Sequence, residues 1–258
     1  MTLIQSVARA LQILELFDEA TNSLSIKEIS NQLDLNKSTV HALLKTLKQF
    51  GYIQQDAFNS EYSLGWKLFE RGNLLVSQLD FKKVASRHLQ TLNNRTNETI
   101  HLVTLLGQEA LYIDKINGHN TLTIYSRIGK KAPLHSSAVG KILTAYLPEN
   151  QFEAVFKAYE FTTPTANTIS NIENYKKELS KVRQQGFAMD QEENELGIIC
   201  MAMPIYDYSN KVVASVSVST PKIIFTKQKK KKTLADLSRC VNDISHELGY
   251  KMDIKGDF

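Results

Sequence analysis

Ile4, Val7, Ala8, Leu11 and Leu14 recur every three or four residues, and Leu16 and Phe17 close the run. That spacing lays one apolar stripe along a helix. Asn22-Ser23 breaks it. Ser25-Ile26-Lys27-Glu28 then reads as a capping box, in which the serine hydroxyl takes the amide three residues on and the glutamate reaches back to the cap. A second helix follows to about Leu33, burying Ile26, Ile29 and Leu33. Asp34-Leu35-Asn36 is a tight connection, with Asn36 as N-cap of a third helix. Val40, Leu43, Leu44 and Leu47 form the buried stripe of that helix; Lys37, Ser38, His41, Ala42 and Lys45 form its opposite face. Gly51 stops it. Residues 52–55 and 61–64 read as two short strands around a turn. Helix, helix, tight turn, helix and hairpin is the order of a winged helix-turn-helix.

Beyond it, the pattern predicts a connecting helix over 66–77 and another from Asp80 to about Asn94. β-rich runs occupy 99–106, 109–117 and 121–128. Helices are expected over 137–147, 151–157 and 172–185, strands over 187–191, 197–206 and 212–220, and a last helix over 227–248. In the run from Val212, alternation puts Val212, Ala214, Val216 and Val218 on one face and Ser215, Ser217 and Ser219 on the other. The run 197–206 is apolar on both faces, as a buried central strand is. A serine face beside it would line a cavity. Strands, then helices, then strands make an α+β domain with an antiparallel sheet. The expected division is a winged helix-turn-helix over 1–65, a linker helix over 66–79, an α+β domain over 80–251 and a tail over 252–258.

Composition narrows the class without naming a function. Of 258 residues, 42 % are hydrophobic and 22 % charged, the balance of a soluble globular protein. The longest uncharged apolar stretch, Leu196 to Tyr206, falls short of the ~20 residues a membrane helix needs. Arg9 and Glu15 interrupt the N-terminal apolar positions, so no secretory signal is expected. Cys200 and Cys240 offer no disulfide framework, which points to reduced thiols and a cytoplasmic location. The net charge is +4, but residues 1–65 carry five basic against seven acidic side chains and are net negative. Overall basicity therefore does not mark a nucleic-acid binder. The segment 36–50 does: it holds Lys37, His41, Lys45 and Lys48 and no acid. Lys37, Ser38 and Thr39 stand at a helix start, where amides and hydroxyls reach phosphate. His41 and Lys45 lie one turn apart, placed for base edges. Arg9 and Ser25 complete the candidate DNA-binding set. The lysines at 227 and 229–232 read as a solvated face. The six histidines show no metal-ligand spacing. Cys200 with His135 as its base would make a hydrolase. No nucleophile elbow, phosphate loop or dinucleotide fingerprint joins them. No catalytic residue, metal or cofactor is expected.

Several stretches together resemble the IclR family of bacterial transcriptional regulators: Ser6-Val7-Ala8-Arg9-Ala10-Leu11, the run Leu33 to His41, Tyr125-Ser126-Arg127-Ile128-Gly129, the run Pro133 to Lys141, and Asp190 to Gly197 followed by Cys200. The resemblance implies a winged-helix DNA reader followed by a GAF-like effector-binding domain, working as a homodimer or dimer of dimers on double-stranded, partly palindromic operator DNA. This chain has Ala42 where members often carry Arg after the histidine. It has Glu61 and Ser63 where the wing often carries Arg. The expected function is a ligand-responsive regulator, a repressor of a catabolic operon, with no membrane attachment. The expected effector is a small carboxylate bearing a hydroxyl, keto or hydrated aldehyde group. Its carboxylate would dock on the amides of Ala138 and Val139 at a helix start. Ser217 and Ser219 would donate hydrogen bonds. Asp190 would accept a proton from the ligand or be protonated by burial, and Cys200 would form a soft wall. The resemblance points to the same six residues. The competing reading is an enzyme or metabolite-binding protein whose helical N-terminus only dimerises; specific binding to DNA separates the two.

Overall fold

A computed structural model of the chain describes residues 3–18, 20–77, 80–119 and 126–251, without the side chains of 75–77 and 80. They fall into two compact units, divided after residue 78.

In the first unit, α1 (Gln5–Glu15), α2 (Ile26–Leu33) and α3 (Lys37–Gln49) are followed by the hairpin β1 (Ile53–Gln55) and β2 (Tyr62–Leu64) and by α4 (Trp66–Ser77). Ile13, Leu24, Ile29, Val40, Leu44, Ile53 and Tyr62 close one core. The capping box at Ser25 forms, with the Ser25 amide donating to Glu28 at 2.8 Å. Asp34 ends α2 in the left-handed region, φ 52°, which lets the chain turn straight into α3. Asn36 departs from expectation. Its backbone is extended as at an N-cap, but its side chain makes no capping bond. The stripe read on α1 is not its buried side: Ile13, outside that stripe, is buried, Ala8 and Leu14 are half-buried, and Ile4, Val7 and Leu11 are exposed. A Cβ at residue 65 would lie 2.2 Å from the Gly51 carbonyl oxygen, so only glycine fits. The Lys67 amide donates to that same oxygen at 3.1 Å. This contact pins α4 to the end of α3, so the helix expected as a separate linker belongs to the first unit.

Among the described residues, the second unit is a six-stranded antiparallel sheet between two helical layers. Its elements are α5 (Asp80–Thr96), β3 (Thr99–Leu106), β4 (Glu109–Ile116), β5 (Lys131–Ala132), α6 (Ala138–Ala145), α7 (Glu149–Phe156), α8 (Ile172–Gln185), β6 (Ala188–Gln191), β7 (Ile198–Tyr206), β8 (Val212–Pro221) and α9 (Lys227–Glu247). Strand order is β5-β4-β3-β8-β7-β6. Leu89 and Leu92 of α5 and Leu237, Val241 and Ile244 of α9 pack on Ile100, Leu102, Val216 and Val218. Val139 and Ile142 of α6 and Tyr175 and Leu179 of α8 pack on Val103, Ala188 and Ala202 from the other side. Wedged between sheet and α8, α6 has all eight residues buried. Gly140 permits this, because a Cβ there would meet the Pro133 carbonyl oxygen at 2.4 Å.

Two expectations about the sheet need correction. The strand expected over 121–128 lies largely outside the described residues; 126–128 are not a strand, and the edge is β5, which pairs with Ala110 and Leu111. Val212 does not share a face with Ala214. The register of β7 and β8 slips at Ile205/Tyr206, so Val213 packs on the α5–α9 side and Val212 on the α6 side. One extra residue at a bulge moves a side chain across the sheet. The expected tail, 252–258, lies outside the described residues.

Candidate functional site

α3 presents its polar face as the periodicity demands. Val40 and Leu44 are fully buried, Thr39 is half-buried, and Lys37, Ser38, His41, Ala42 and Lys45 are exposed. Lys37, His41 and Lys45, four residues apart, form one row along the helix. The uncapped start leaves the Lys37 and Ser38 amides without a side-chain acceptor, while the Thr39 amide donates to the Asn36 carbonyl at 2.9 Å. Two amides, a lysine and short hydroxyls at a helix N-terminus suit a phosphate. Arg9 is half-buried on α1. Ser25 is half-buried too, and its hydroxyl donates to the Glu28 carboxylate at 2.7 Å and accepts from the Glu28 amide at 3.3 Å. Its hydroxyl is thus engaged in starting α2.

In the second unit, strand register assembles a polar row. Asp190 of β6 lies opposite Cys200 of β7, and Cys200 opposite Ser219 of β8. One step along, Ser217 lies opposite His101 of β3. Paired positions share a face, and this face looks toward α6. The cavity between them is lined by Ala138, Val139, Asp190, Cys200, Ser217 and Ser219, together with His101, Tyr112, Ser137 and Asn194. All six residues expected from sequence therefore meet. The space is about 30 Å³, room for one or two waters. The serine face is fully inside: Ser215, Ser217 and Ser219 are at most 3 % exposed.

Each polar group there is perturbed by burial. One oxygen of Asp190 accepts the Glu193 amide at 2.7 Å and the Asn194 amide at 3.3 Å. Desolvation outweighs both bonds and raises the Asp190 carboxyl to about 7. His101 Nε2 lies 2.6 Å from the Ser126 hydroxyl, and Nδ1 lies 3.5 Å from both Ser217 and Ser219. Burial, with the Lys115 charge adding to it, lowers His101 to about 3, so the ring is neutral at pH 7. Cys200 Sγ lies 3.2 Å from the Ser219 hydroxyl, and burial first, then the nearby Asp190, pushes its thiol far up. Overhead, the Ser137 hydroxyl caps α6 by accepting the Gly140 amide at 3.0 Å. The Ala138 and Val139 amides, first in the helix, have no intrahelical acceptor. His135 is not a base for Cys200. Its two ring nitrogens lie 2.8 Å from the Tyr159 hydroxyl and the Thr162 carbonyl oxygen.

Residues 73–246 match the bacterial transcriptional regulator IclR C-terminal domain, and residues 6–57 match the IclR helix-turn-helix domain. The chain belongs to the IclR family. It is 45 % identical over 220 residues to the HTH-type transcriptional regulator XynR of Escherichia coli, covering 85 % of this chain and 87 % of that one. With the HTH-type transcriptional regulator KdgR of Dickeya chrysanthemi it shares 36 % identity, covering 96 % of this chain and 81 % of KdgR. The crystal structure of the Thermotoga maritima IclR matches with a TM-score of 0.80 at 33 % identity, over 96 % of this chain and all of that one. The protein is accordingly a DNA-binding transcriptional regulator with an effector-binding C-terminal domain, and the family are not enzymes.

Within this IclR fold, three pocket features escaped the sequence. His101 and Tyr112, whose rings lie 5.1 Å apart, come from β3 and β4, more than a hundred residues before the serine strand. The signal available was His101, the one ionisable residue in β3. The third is Lys141, fully buried on α6. Its Nζ donates to the Met189 carbonyl at 2.8 Å and pairs with Glu193 at 2.5 Å, with Glu178 at 3.8 Å. The Glu193 amide is one of the two that hold Asp190, so Lys141 braces the 190–195 segment from behind the pocket. Among the described residues no group of His, Cys, Asp and Glu could hold a metal, and no helix is long and apolar enough to cross a membrane.

Proposed function

We propose that this regulator is a cytoplasmic repressor whose effector is a small hydroxy, keto or hydrated-aldehyde carboxylate bound in the Asp190 cavity. The observation that carries the reading is the closed polar row under the first turn of α6. The effector carboxylate takes the Ala138 and Val139 amides, where the helix dipole favours an anion. Ser217 and Ser219 bond its hydroxyl or keto oxygen, neutral His101 orients those serines, and Cys200 forms the apolar wall. Asp190 receives the anion as a neutral acid, which is why its displaced acidity matters. A relative named as a DNA-binding transcriptional repressor, YiaJ of Escherichia coli, shares 33 % identity over 95 % of this chain, which supports the negative sign of regulation. α3 reads the major groove through His41 and Lys45, with Lys37, Ser38 and Thr39 on phosphate and Arg9 on the backbone. Exposed Ile4, Val7 and Leu11 on α1, and Trp66 and Phe69 on α4, form apolar faces that a second copy would cover. A homodimer, alone or paired again, sets two α3 helices on half-sites ~34–36 Å or a multiple apart. Effector then acts only through its different affinity for the operator-competent and incompetent states.

The test is a thermal-shift screen of small hydroxy and keto acids at pH 6 and pH 8, followed by calorimetry on any hit. Because the bound anion raises the Asp190 pKa further, binding takes up a proton above pH 7. Affinity should fall about tenfold per pH unit there. Asp190→Asn should bind with no such slope. A hit that binds equally at both pH values in the wild type, or that survives Ser217→Ala with Ser219→Ala, refutes this placement.

A further inference from the structure

Between β1 and β2 the tip residue Phe58 is 99 % exposed. The turn that carries it is tightly built. Asp56 Oδ1 accepts the Phe58 amide at 2.7 Å and the Asn59 amide at 3.1 Å. Asn59 Oδ1 accepts the Glu61 amide at 3.0 Å, and Gln55 Nε2 donates to the Ser60 carbonyl at 3.1 Å. The amides hold the Asp56 carboxyl below the usual carboxylate range, keeping it charged and acting as the turn's anchor. Ser60 adopts φ 61°, the left-handed geometry that closes the loop. A phenyl ring is thus held out into solvent by a stiff turn, the opposite of what burial favours.

The rest of the hairpin offers no phosphate contact of the usual sort. From Gln49 to Trp66 the chain has no Lys, Arg or His. Its acids are engaged locally: Glu61 accepts from the Ser23 hydroxyl and from the Asn59 side-chain amide at 3.3 Å. Lys48 Nζ, at the end of α3, donates to Gln55 at 3.0 Å and ties the hairpin to the reading helix. That tie keeps the hairpin beside α3, so with α3 in a major groove it would face the flanking minor groove. An apolar ring there can enter between base pairs and partly unstack them.

We propose that Phe58 is an apolar wedge that inserts into the operator's minor groove beside the major groove read by α3, replacing by ring insertion the cationic wing contact this chain lacks. The inference rests on DNA reading by α3. It adds a sequence preference, because pyrimidine–purine steps such as TA and CA/TG unstack most easily. The selected site should therefore carry such a step on the flank that Phe58 reaches.

The experiment starts by selecting duplexes from a random pool with the full-length wild-type protein. The best duplex is then titrated by fluorescence anisotropy between 50 and 200 mM salt, and its bend is measured by circular permutation. 2-Aminopurine at the flanking step reports unstacking. Phe58→Ala should bind about 10- to 100-fold more weakly, the range for losing one buried phenyl. Its salt slope should equal that of the wild type, since no counterion is released by a ring. The bend and the 2-aminopurine rise should disappear, and Phe58→Trp should keep both. Selection with Phe58→Ala should lose the flanking-step preference. A wild type that enriches no duplex overturns the reading of α3 and the wedge with it. A wild type that enriches one, with Phe58→Ala indistinguishable on it, overturns the wedge alone. So does a Phe58→Ala protein whose salt slope shrinks, or whose only change is a smaller assembly in sedimentation, which would assign the ring to a second copy of the chain.

Discussion

Removing the buried Lys141 charge should destabilise the second unit without touching the pocket wall. Lys141→Met keeps the apolar stem and deletes the ammonium. Met189 loses its donor, and Glu193, whose side chain is 8 % exposed, loses the partner that lay 2.5 Å away. Breaking one side of a buried pair costs about 3–5 kcal/mol. The lower end applies here, because burial already pushes the Glu193 carboxyl up and it can take a proton instead of staying charged. About 3 kcal/mol in a unit of this size lowers Tm by ~6–12 °C. The penalty should be full at pH 8 and shrink as the pH is lowered and the orphaned acid takes up a proton. Lys141→Met with Glu193→Gln should regain most of the loss, giving a coupling of at least about 2 kcal/mol in a double-mutant cycle. Near-UV circular dichroism of the tyrosines, eight of which lie in this unit, follows its unfolding; the one tryptophan, Trp66, lies in the other. Calorimetry gives Tm. Single variants costing under about 1 kcal/mol, or additive effects, would refute the brace.

Lys37→Ala should weaken binding to every duplex alike and reduce the salt slope by about 0.9, as loss of one phosphate contact does; anisotropy against salt measures it. Gly65→Ala should cost about 1–3 kcal/mol in urea unfolding of the first unit, because the new methyl would stand 2.2 Å from a carbonyl oxygen that must move. Native protein at pH 8 should react far more slowly with a disulfide reagent than urea-unfolded protein, since burial pushes Cys240 up to about 12 and Cys200 higher still.

The reading helix was legible because its chemistry is local: Val40, Leu43, Leu44 and Leu47 set the buried side of α3, and the polar side follows by geometry. Ser215, Ser217 and Ser219 were legible for the same reason, a period of two within one strand. His101 was not, because what makes it a pocket residue is β3 lying beside β8 in antiparallel register, and pairing over that separation leaves no local trace. Lys141 was visible only as part of a matching motif. Nothing in its neighbours showed that α8 would cover the side of α6 on which a lysine ordinarily meets water. Val212 misled through a bulge, which changes the face of a residue without changing its sequence context. Asn36 has the right backbone for a cap, yet its side chain is not used, a choice of rotamer that composition does not encode.

The small volume under α6 has a kinetic consequence. Space for one or two waters does not admit a carboxylic acid of several carbons. On the proposed effector site, entry would wait for the roof or the 190–195 segment to part, and Lys141 and the Asp190 amide bonds would resist that parting. If the parted form is one molecule in a hundred, apparent affinity is about a hundredfold below that of the open cavity. In stopped-flow mixing, the observed rate should level off at high effector concentration, at the frequency with which the cavity opens. The speed of the cell's response to its metabolite would then be set by the protein's own opening rate, and a substitution that loosens the brace would both quicken the response and lower the threshold at which it begins.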